Sequence, residues 1–337
     1  MIAQTAGRFS SMIFILVFFL AAGPVFSQQA ALRSAASPDK HVIVVSMDGM
    51  RPDVLLRAKV PNIRDLALHG AFTFWAESTD LAITLPTHVS MFTGVTPTRH
   101  KVLWNDDRDV DPSMLAVPTL FELAKKAGYS SAMVIGKHKL GIMAKPGTVD
   151  WLNAPAKKSK PDAVTVATAA AQILRQHRPG VLFVHFPDPD AVGHSTGWGT
   201  AEQVAVADRA DQGVGILVAA LGEARLSEKT LLIVTADHGG SGKSHGAKVP
   251  FSHYVPWIAV GPGVRENYDL TLEPKLAVHV EDVFATALNF LGVTIPADVD
   301  GKLIGAIFDK SEKAEPARKK ESFMPLQSPA VDLACVQ

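Results

Sequence analysis

An apolar run from Thr230 to Ala236 ends abruptly in Asp237, His238 and two glycines. A short apolar run of this kind indicates a buried β-strand, and open α/β sheets place their functional sites at the carboxyl ends of strands. The pattern therefore predicts a carboxylate and an imidazole at the carboxyl edge of a sheet. Both groups are ligands that metal ions use in proteins.

Two further apolar runs end in a similar way. The run that starts at His41 closes on Asp48, and the run that starts at Val181 is followed by Asp190 and His194. Because the carboxyl ends of parallel strands meet at one edge, we expect three strand ends to bring oxygen and nitrogen ligands together.

Apolar runs alternate with helical patterns along the whole chain. The spacing predicts strands near residues 41–46, 131–135, 181–185, 230–235 and 256–260, and helices near residues 62–70, 118–127, 162–176, 201–222 and 280–291. This alternation predicts an α/β fold, doubly wound, with a mostly parallel central sheet and helices on both faces. With 337 residues, 47% of them hydrophobic, the chain can bury one large core.

The two ends of the chain differ from this pattern. Arg8 followed by an apolar stretch from Met12 to Gly23 predicts a signal peptide over residues 1–27, and hence a periplasmic or secreted protein. The stretch is shorter than the roughly 20 residues that span a bilayer, so we expect cleavage and no stable membrane anchor. The domain then covers residues 38–308, and residues 309–337 form a mobile tail rich in Lys, Glu, Pro and Ala.

The charge balance points to a small-molecule partner. Lys and Arg together number 33, and so do Asp and Glu. This balance provides no bulk attraction for nucleic acid or for an anionic membrane. The single cysteine, Cys335, also excludes an internal disulfide.

Six residues are candidate metal ligands. They are Asp48, Asp190, His194, Asp237, His238 and His245. Carboxylates and imidazoles without thiolates suit Zn²⁺ or a similar cation, and paired sites of this type serve phosphoryl transfer. Any one of them alone is better explained as a turn former, a helix cap or a surface residue. The set of six favours two sites with three ligands each.

A nucleophile is expected just before a helix predicted over residues 87–93. Thr84 and Thr87 both offer a hydroxyl there. Metal binding lowers the pKa of a hydroxyl group, and the amino end of a helix stabilises an anion. A capping role fits Thr87 better than Thr84, and both remain candidates for the nucleophile.

Four motifs, in order between about residues 41 and 303, resemble the alkaline phosphatase superfamily, nearest its nucleotide pyrophosphatase/phosphodiesterase branch. They are Asp48-Gly-Met-Arg-Pro-Asp53, Thr84-Leu-Pro-Thr-His88 with its continuation to His100, Pro189-Asp190-Ala-Val-Gly-His194, and Asp237-His238-Gly239. The resemblance implies two zinc ions, one held by Asp48, Thr84, Asp237 and His238 and the other by Asp190, His194 and His245. It also implies that Thr84 is the nucleophile and that Asn105 donates to a phosphoryl oxygen.

The resemblance implies an exported two-zinc phosphoesterase, which hydrolyses phosphodiester, pyrophosphate or phosphomonoester bonds through a phospho-threonine intermediate. In that branch a long insertion precedes the last His ligand, whereas His238 and His245 are close together here. We therefore expect a minimal cap and an open site. His253 is an alternative last ligand.

Two other functions are alternatives to the phosphoesterase. Gly136-Lys-His-Lys-Leu140 resembles a segment of phosphonoacetate hydrolase, which makes Lys137 and Lys139 candidates for substrate binding and a phosphonatase the second expectation. A solvated turn is the alternative for these lysines. A non-catalytic zinc- or nucleotide-binding protein is a third expectation, because Gly239-Gly-Ser-Gly-Lys-Ser244 is similar to a phosphate-binding loop. That loop needs Gly where Asp237 stands.

Overall fold

A computed structural model describes Met1, residues 39–109 and residues 111–309. The expected signal peptide after Met1 and the expected tail after Asp309, with Cys335, lie outside the described residues. Within the described ranges, every helix is too short or too polar to cross a bilayer. Residues 39–309 fall within one compact unit.

The central sheet is mixed. Its strands are β1 (His41–Met47), β2 (Ala71–Glu77), β3 (Ser131–Ile135), β4 (Trp151–Asn153), β5 (Val181–Phe186), β6 (Thr230–Thr235), β7 (Tyr254–Val260) and β8 (Tyr268–Asp269). They lie in the order β4, β3, β5, β1, β6, β7, β2, β8. The first five in this order run parallel, whereas β7 is antiparallel to both of its neighbours. The mostly parallel α/β fold is confirmed.

Helices surround this sheet. They are α1 (Pro52–Arg57), α2 (Pro61–Leu68), α3 (Thr84–Thr93), α4 (Pro97–His100), α5 (Leu120–Lys126), α6 (Ala163–His177), α7 (Asp188–Thr196), α8 (Ala201–Glu223) and α9 (Asp282–Leu291). One group packs around α8, namely α1, α2, α6 and α7, and a second group contains α3, α5 and α9. The second group covers β1 and β6 through α9.

The middle of the sheet is completely buried. Every residue of β1 is buried, as its run of β-branched side chains requires when helices cover both faces. Next to it, Phe92 of α3 stacks on Phe121 of α5 with ring centroids 5.0 Å apart and contacts Phe183 of β5 at 4.5 Å. The central strands are therefore packed against a buried aromatic core.

Helix α3 begins earlier than the sequence predicts. The expected start is residue 87, but the helix already includes Thr84. Pro86 does not prevent this, because proline is tolerated in the first turn of a helix, where its missing N–H has no partner to lose. The shift places the Thr84 hydroxyl in the first turn of α3.

Candidate metal centre

Three fully buried side chains meet at the carboxyl edge of the sheet. Asp48 follows β1, and Asp237 and His238 follow β6, the parallel neighbour of β1. Ligand atoms of the three residues lie within 4.8 Å of one another, close enough to hold a metal ion. Asp48, Asp237 and His238 are called the first cluster below.

A second cluster is formed by Asp190, His194 and His245, whose ligand atoms also lie within 4.8 Å of one another. Asp190 and His194 do not sit at a strand end as expected. Both belong to helix α7, one turn apart on the same face. His245 comes from the short turn after β6, whereas the alternative His253 lies outside both clusters and contacts the Ala247 carbonyl oxygen.

Gly49 allows the two clusters to approach each other. It has a φ of 71°, and a Cβ atom at this position would lie 3.0 Å from both the Cα and the Cβ of Asp190. A side chain here would therefore separate the end of β1 from α7.

The three imidazoles are oriented in the same way. The Nδ1 of His194 lies 3.0 Å from the Lys243 carbonyl oxygen, that of His238 2.8 Å from the Gly239 carbonyl, and that of His245 3.2 Å from the Ala82 carbonyl. A carbonyl oxygen only accepts, so Nδ1 carries the proton and Nε2 faces the cluster. Metal-binding histidines are held by second hydrogen bonds of this kind.

Several of the buried acceptors face one another. His238 Nε2 lies 3.5 Å from Asp48 Oδ1 and 3.3 Å from Asp237 Oδ2, and His245 Nε2 lies 3.5 Å from Asp190 Oδ1. These three carboxylate oxygens have no hydrogen-bond partner among the described residues. Burial lowers the pKa of His238, and lowers that of His245 to about 4, so both imidazoles are neutral. Facing lone pairs repel, and a cation between them removes the repulsion, so the residues fit metal binding.

The two carboxyl groups of the first cluster differ in pKa. Burial alone would raise the pKa of Asp48, but the Lys137 ammonium and a hydrogen bond from His185 outweigh burial and hold it well below its ordinary value. Burial and the neighbouring Asp48 charge raise the pKa of Asp237 to about 7. The repulsion between these two carboxylates favours a divalent cation between them.

Thr84 lies at the first cluster, and Thr87 does not. The Thr84 Oγ1 is buried 3.3 Å from His238 Nε2. The Thr87 hydroxyl instead hydrogen-bonds to the Thr79 hydroxyl at 2.9 Å. Of the two candidate nucleophiles, only Thr84 is brought to the cluster.

Asn105 contacts Leu85, the residue that follows the candidate nucleophile Thr84. Its Oδ1 accepts from the Leu85 N–H at 2.9 Å and from the Lys139 ammonium at 2.8 Å. Because the oxygen is occupied, the amide N–H groups remain to donate to a substrate. Lys139 is therefore a support for Asn105 in this structure.

Lys137 links the two clusters. Its ammonium lies 2.7 Å from Asp48 Oδ2, 2.6 Å from Asp190 Oδ2 and 3.4 Å from the Thr84 hydroxyl. Neither Lys137 nor Lys139 belongs to a solvated turn, the alternative considered from the sequence. A role for them in substrate binding stays a prediction.

Sequence reasoning missed two buried groups that support the ligands. His185 accepts from the Gly136 N–H through Nδ1 and donates through Nε2 to Asp48 Oδ2 at 2.8 Å. Trp198 donates to the Gly49 carbonyl at 2.8 Å, and its indole packs edge-on against the His194 ring. His185 leaves Asp48 Oδ1 as the oxygen that faces the cluster.

Two cavities adjoin the centre. The larger, of about 460 Å³, is lined by Asp190 and His194 of the second cluster, by Asn105 and Lys137, and by residues 158–162, which precede α6. The smaller, of about 390 Å³, includes Leu85, Trp104 and Lys139 among its lining residues. Lys139 lines both cavities, and Leu85, the residue after Thr84, lines the smaller one.

Comparison with known proteins defines the family. Residues 42–260 match the family described as type I phosphodiesterase / nucleotide pyrophosphatase. The chain belongs to this family. The matched range contains Thr84, Asn105 and all the residues of both clusters, so the predicted superfamily and branch are confirmed.

Curated relatives share the region of the centre. The chain is 27% identical over 233 residues to bis(5'-adenosyl)-triphosphatase ENPP4 of Bos taurus, a match that covers 61% of this chain and 48% of the relative. It is 24% identical over 258 residues to ectonucleotide pyrophosphatase/phosphodiesterase family member 5 of Homo sapiens, covering 72% of this chain and 53% of the relative. The chain thus spans about half the length of these relatives.

Solved structures of the same fold include a phosphodiesterase and a sulfatase. Murine ectonucleotide pyrophosphatase / phosphodiesterase 5, in an inactive form with AMP, has a TM-score of 0.64 at 16% identity, covering 77% of this chain and 97% of that chain. A putative sulfatase from Bacteroides thetaiotaomicron has a TM-score of 0.62 at 16% identity, covering 82% of this chain and 76% of that chain. These similarities show the shared fold.

Proposed function

We propose that the protein is an exported two-zinc phosphoesterase that cleaves phosphodiester or pyrophosphate bonds through a phospho-threonine intermediate. One observation carries the proposal. The buried Thr84 hydroxyl lies 3.3 Å from a ligand atom of the first cluster, and Lys137 joins that cluster to the second. A nucleophile beside two joined cation sites is the arrangement that in-line phosphoryl transfer needs.

The first cluster, with Thr84, would hold one zinc ion, and the second cluster would hold the other. Bound there, two divalent cations would supply Lewis acidity that lowers the pKa of a hydroxyl and neutralises charge on phosphoryl oxygens. The donor set contains only carboxylates, imidazoles and a hydroxyl, which is compatible with zinc.

The residues of the chain divide the remaining tasks. The Thr84 hydroxyl gives its proton to solvent, and its oxygen attacks phosphorus. The Thr84 O–P bond forms as the P–O bond to the leaving group breaks, and the electron pair of that bond stays on the leaving oxygen. The Lys137 ammonium, 3.4 Å from that hydroxyl, favours its deprotonated form, and the Asn105 amide donates to a phosphoryl oxygen. Water then hydrolyses the phospho-threonine and restores the hydroxyl.

The two cavities favour a diester over a monoester. A monoester has one organic substituent on phosphorus, whereas a diester has two that need space. The larger cavity adjoins Asp190 and His194, and the smaller adjoins Leu85, next to the nucleophile. Such a substrate is compatible with the activity for which the ENPP4 relative, a bis(5'-adenosyl)-triphosphatase, is named.

A phosphonatase is the second candidate because both lysines of the Gly136–Leu140 segment lie at the centre. Lys137 contacts Asp48 and Asp190, and Lys139 contacts Asn105. Both ammonium groups are near enough to the centre to meet an anionic substituent once substrate displaces their present partners.

One panel of assays tests the proposal. Protein purified without chelator is analysed for zinc and assayed on nitrophenyl phosphate, a nitrophenyl nucleotide diester, nitrophenyl sulfate and phosphonoacetate. We expect two zinc ions per chain and the highest kcat/KM on the diester. Highest turnover of phosphonoacetate would select the second candidate, and one zinc ion or none at saturation would contradict the two-zinc centre.

A further inference from the structure

The larger cavity contains cations that the reaction does not use. Lys137 and Lys139 already contact Asp48, Asp190 and Asn105 within the centre. Lys158, Lys160 and Arg209 also line this cavity, the two lysines in the segment between β4 and α6 and the arginine on α8.

The leaving group is expected to enter this cavity. In an in-line displacement the leaving oxygen departs on the side of phosphorus opposite the nucleophile. Thr84 lies at the first cluster, beside His238. The cavity is lined instead by Asp190 and His194 of the second cluster. The walls of the cavity therefore contact the leaving group, and the smaller cavity beside Leu85 is left for the substituent that stays on phosphorus.

Two of the cations are free to bind a ligand. Lys158 and Lys160 are exposed, and neither forms an ion pair with any residue in the described ranges. The adjacent Lys157 differs, because it pairs with Asp109 at 2.6 Å and does not line the cavity. The sequence of three neighbouring lysines thus separates into one paired lysine and two available ones.

The acidic residues of the cavity are mostly engaged. Asp162 accepts from the Thr165 N–H at 2.8 Å and caps α6, and Asp188 accepts from the Ala163 N–H at 3.0 Å. Asp188 is also paired with Arg209 at 3.7 Å, and Asp107 is the remaining acidic lining residue away from the clusters. Of Lys158, Lys160 and Arg209, only the two lysines therefore have no acidic partner among the described residues.

We infer that Lys158 and Lys160 form a subsite for an anionic substituent on the leaving group, so that the preferred substrates release a product bearing a carboxylate or phosphate. This inference rests on the proposed function. It differs from the expectation for Lys137 and Lys139, which concerns groups bound next to the reacting phosphorus. Exposed cations of this kind select among charged substrates and lose that selectivity as salt screens them.

A matched pair of chromogenic esters tests the subsite. The first is methyl 4-nitrophenyl phosphate, and the second is methyl 4-carboxy-2-nitrophenyl phosphate, whose leaving phenol has similar acidity but carries a carboxylate. The phosphoryl group and the retained methyl group are the same in both. We expect the zinc-loaded protein to favour the carboxylated ester in kcat/KM, and to lose this preference as salt rises.

The variant Lys158→Ala/Lys160→Ala should lose about 5- to 10-fold in kcat/KM on the carboxylated ester and less than about twofold on methyl 4-nitrophenyl phosphate, whose leaving group has no carboxylate. Lys157→Ala is the matched control and should change neither rate. Lys158→Glu/Lys160→Glu should reverse the preference toward an ester whose leaving phenol carries a trimethylammonium group. Equal losses on both esters, or no loss on either, would overturn the subsite.

Binding to Thr84→Ala separates this inference from the proposed function. Titration calorimetry of both esters with the zinc-loaded variant measures their affinities without turnover. Tighter binding of the carboxylated ester, lost in Lys158→Ala/Lys160→Ala, supports the subsite even if the wild-type protein hydrolyses neither ester. Equal affinity for both esters overturns it even if the wild-type protein hydrolyses both.

Discussion

Asn105 is held in place from two directions, and its function follows from the atoms that remain free. Leu85 N–H and the Lys139 ammonium occupy the amide oxygen, so the nitrogen is left as a donor. We expect Asn105→Ala to lower kcat by roughly 10²–10³-fold, the usual effect of deleting one oxyanion donor, with a smaller change in KM. Steady-state kinetics on a nitrophenyl diester measures this. A change below threefold in both parameters would remove Asn105 from the reaction.

His185 positions Asp48, and its effect should appear in metal affinity. The Nε2–H donates to Asp48 Oδ2 at 2.8 Å, which fixes Oδ1 toward the cluster. We expect His185→Ala to weaken zinc binding about 10- to 100-fold and His185→Gln, which keeps a donor, to restore part of it. Competition with a chromogenic chelator measures the affinity.

His41→Ala provides the control for His185→Ala. His41 is also a buried histidine of the sheet, but its Nδ1 donates to the Pro179 carbonyl oxygen, far along β1 from Asp48. Its removal should leave zinc affinity unchanged. Equal losses of affinity in both variants would mean that a general disturbance of the sheet, and not the hydrogen bond to Asp48, is responsible.

At the residue level, the sequence predicts groups that end apolar runs but not groups within them. Asp48, Asp237 and His238 each interrupt an apolar pattern, so their polarity is visible. His185 lies inside a completely buried strand, and its partner Asp48 is 137 positions away. Nothing in the local sequence indicates this contact, because it arises only when β5 pairs with β1.

The end of β1 and the start of α7 are brought together by the absence of a side chain at Gly49. We expect Gly49→Ala to destabilise the fold by about 1–3 kcal/mol, through a strained φ and the contact with Asp190. It should also lower zinc occupancy of the second cluster. Denaturant unfolding and elemental analysis measure the two effects.

Gly147→Ala isolates the effect of the strained φ. Gly147 has a φ of 75°, close to that of Gly49, but an added Cβ atom would meet nothing within 4 Å. This variant should show the strain without the loss of zinc. If zinc occupancy falls equally in both variants, the close approach of Gly49 to Asp190 has no particular role.

Elements are predicted better than their directions and exact ends. All five strands and all five helices expected from the apolar pattern are present, and so is the helix expected over residues 87–93. The apolar pattern does not predict that β7 is antiparallel, because a strand gives the same pattern of apolar residues in either direction. Helix α7 is also not predicted, because Pro187 and Pro189 argue against a helix there. The only sign of the helix is the four-residue spacing of Asp190 and His194.

Over the whole molecule, the buried charges of the centre should make stability depend on metal. Without a metal ion, burial and the neighbouring Asp48 charge raise the pKa of Asp237 to about 7. We expect chelation to lower Tm, and zinc at about 100 times its Kd to restore about 2.7 kcal/mol of stability. Differential scanning calorimetry measures this.

Asp237→Asn separates repulsion from metal binding. Its side-chain oxygen can still accept from the Gly49 and His238 N–H groups, as Asp237 Oδ1 does at 3.0 Å to each. The metal-free variant should be more stable than the metal-free wild-type protein, and zinc should raise its Tm less. An unchanged response to zinc would show that the first cluster does not hold the ion.

The most direct test of the account is the identification of the covalent intermediate. Zinc-loaded protein is mixed with methyl 4-nitrophenyl phosphate, quenched in acid within the first turnover and digested for mass spectrometry. We expect a methylphosphoryl group on Thr84, absent in Thr84→Ala, whose zinc content is retained, and present in Thr87→Ala. A modified Thr87, or rapid turnover by Thr84→Ala, would contradict the assignment of Thr84 as the nucleophile.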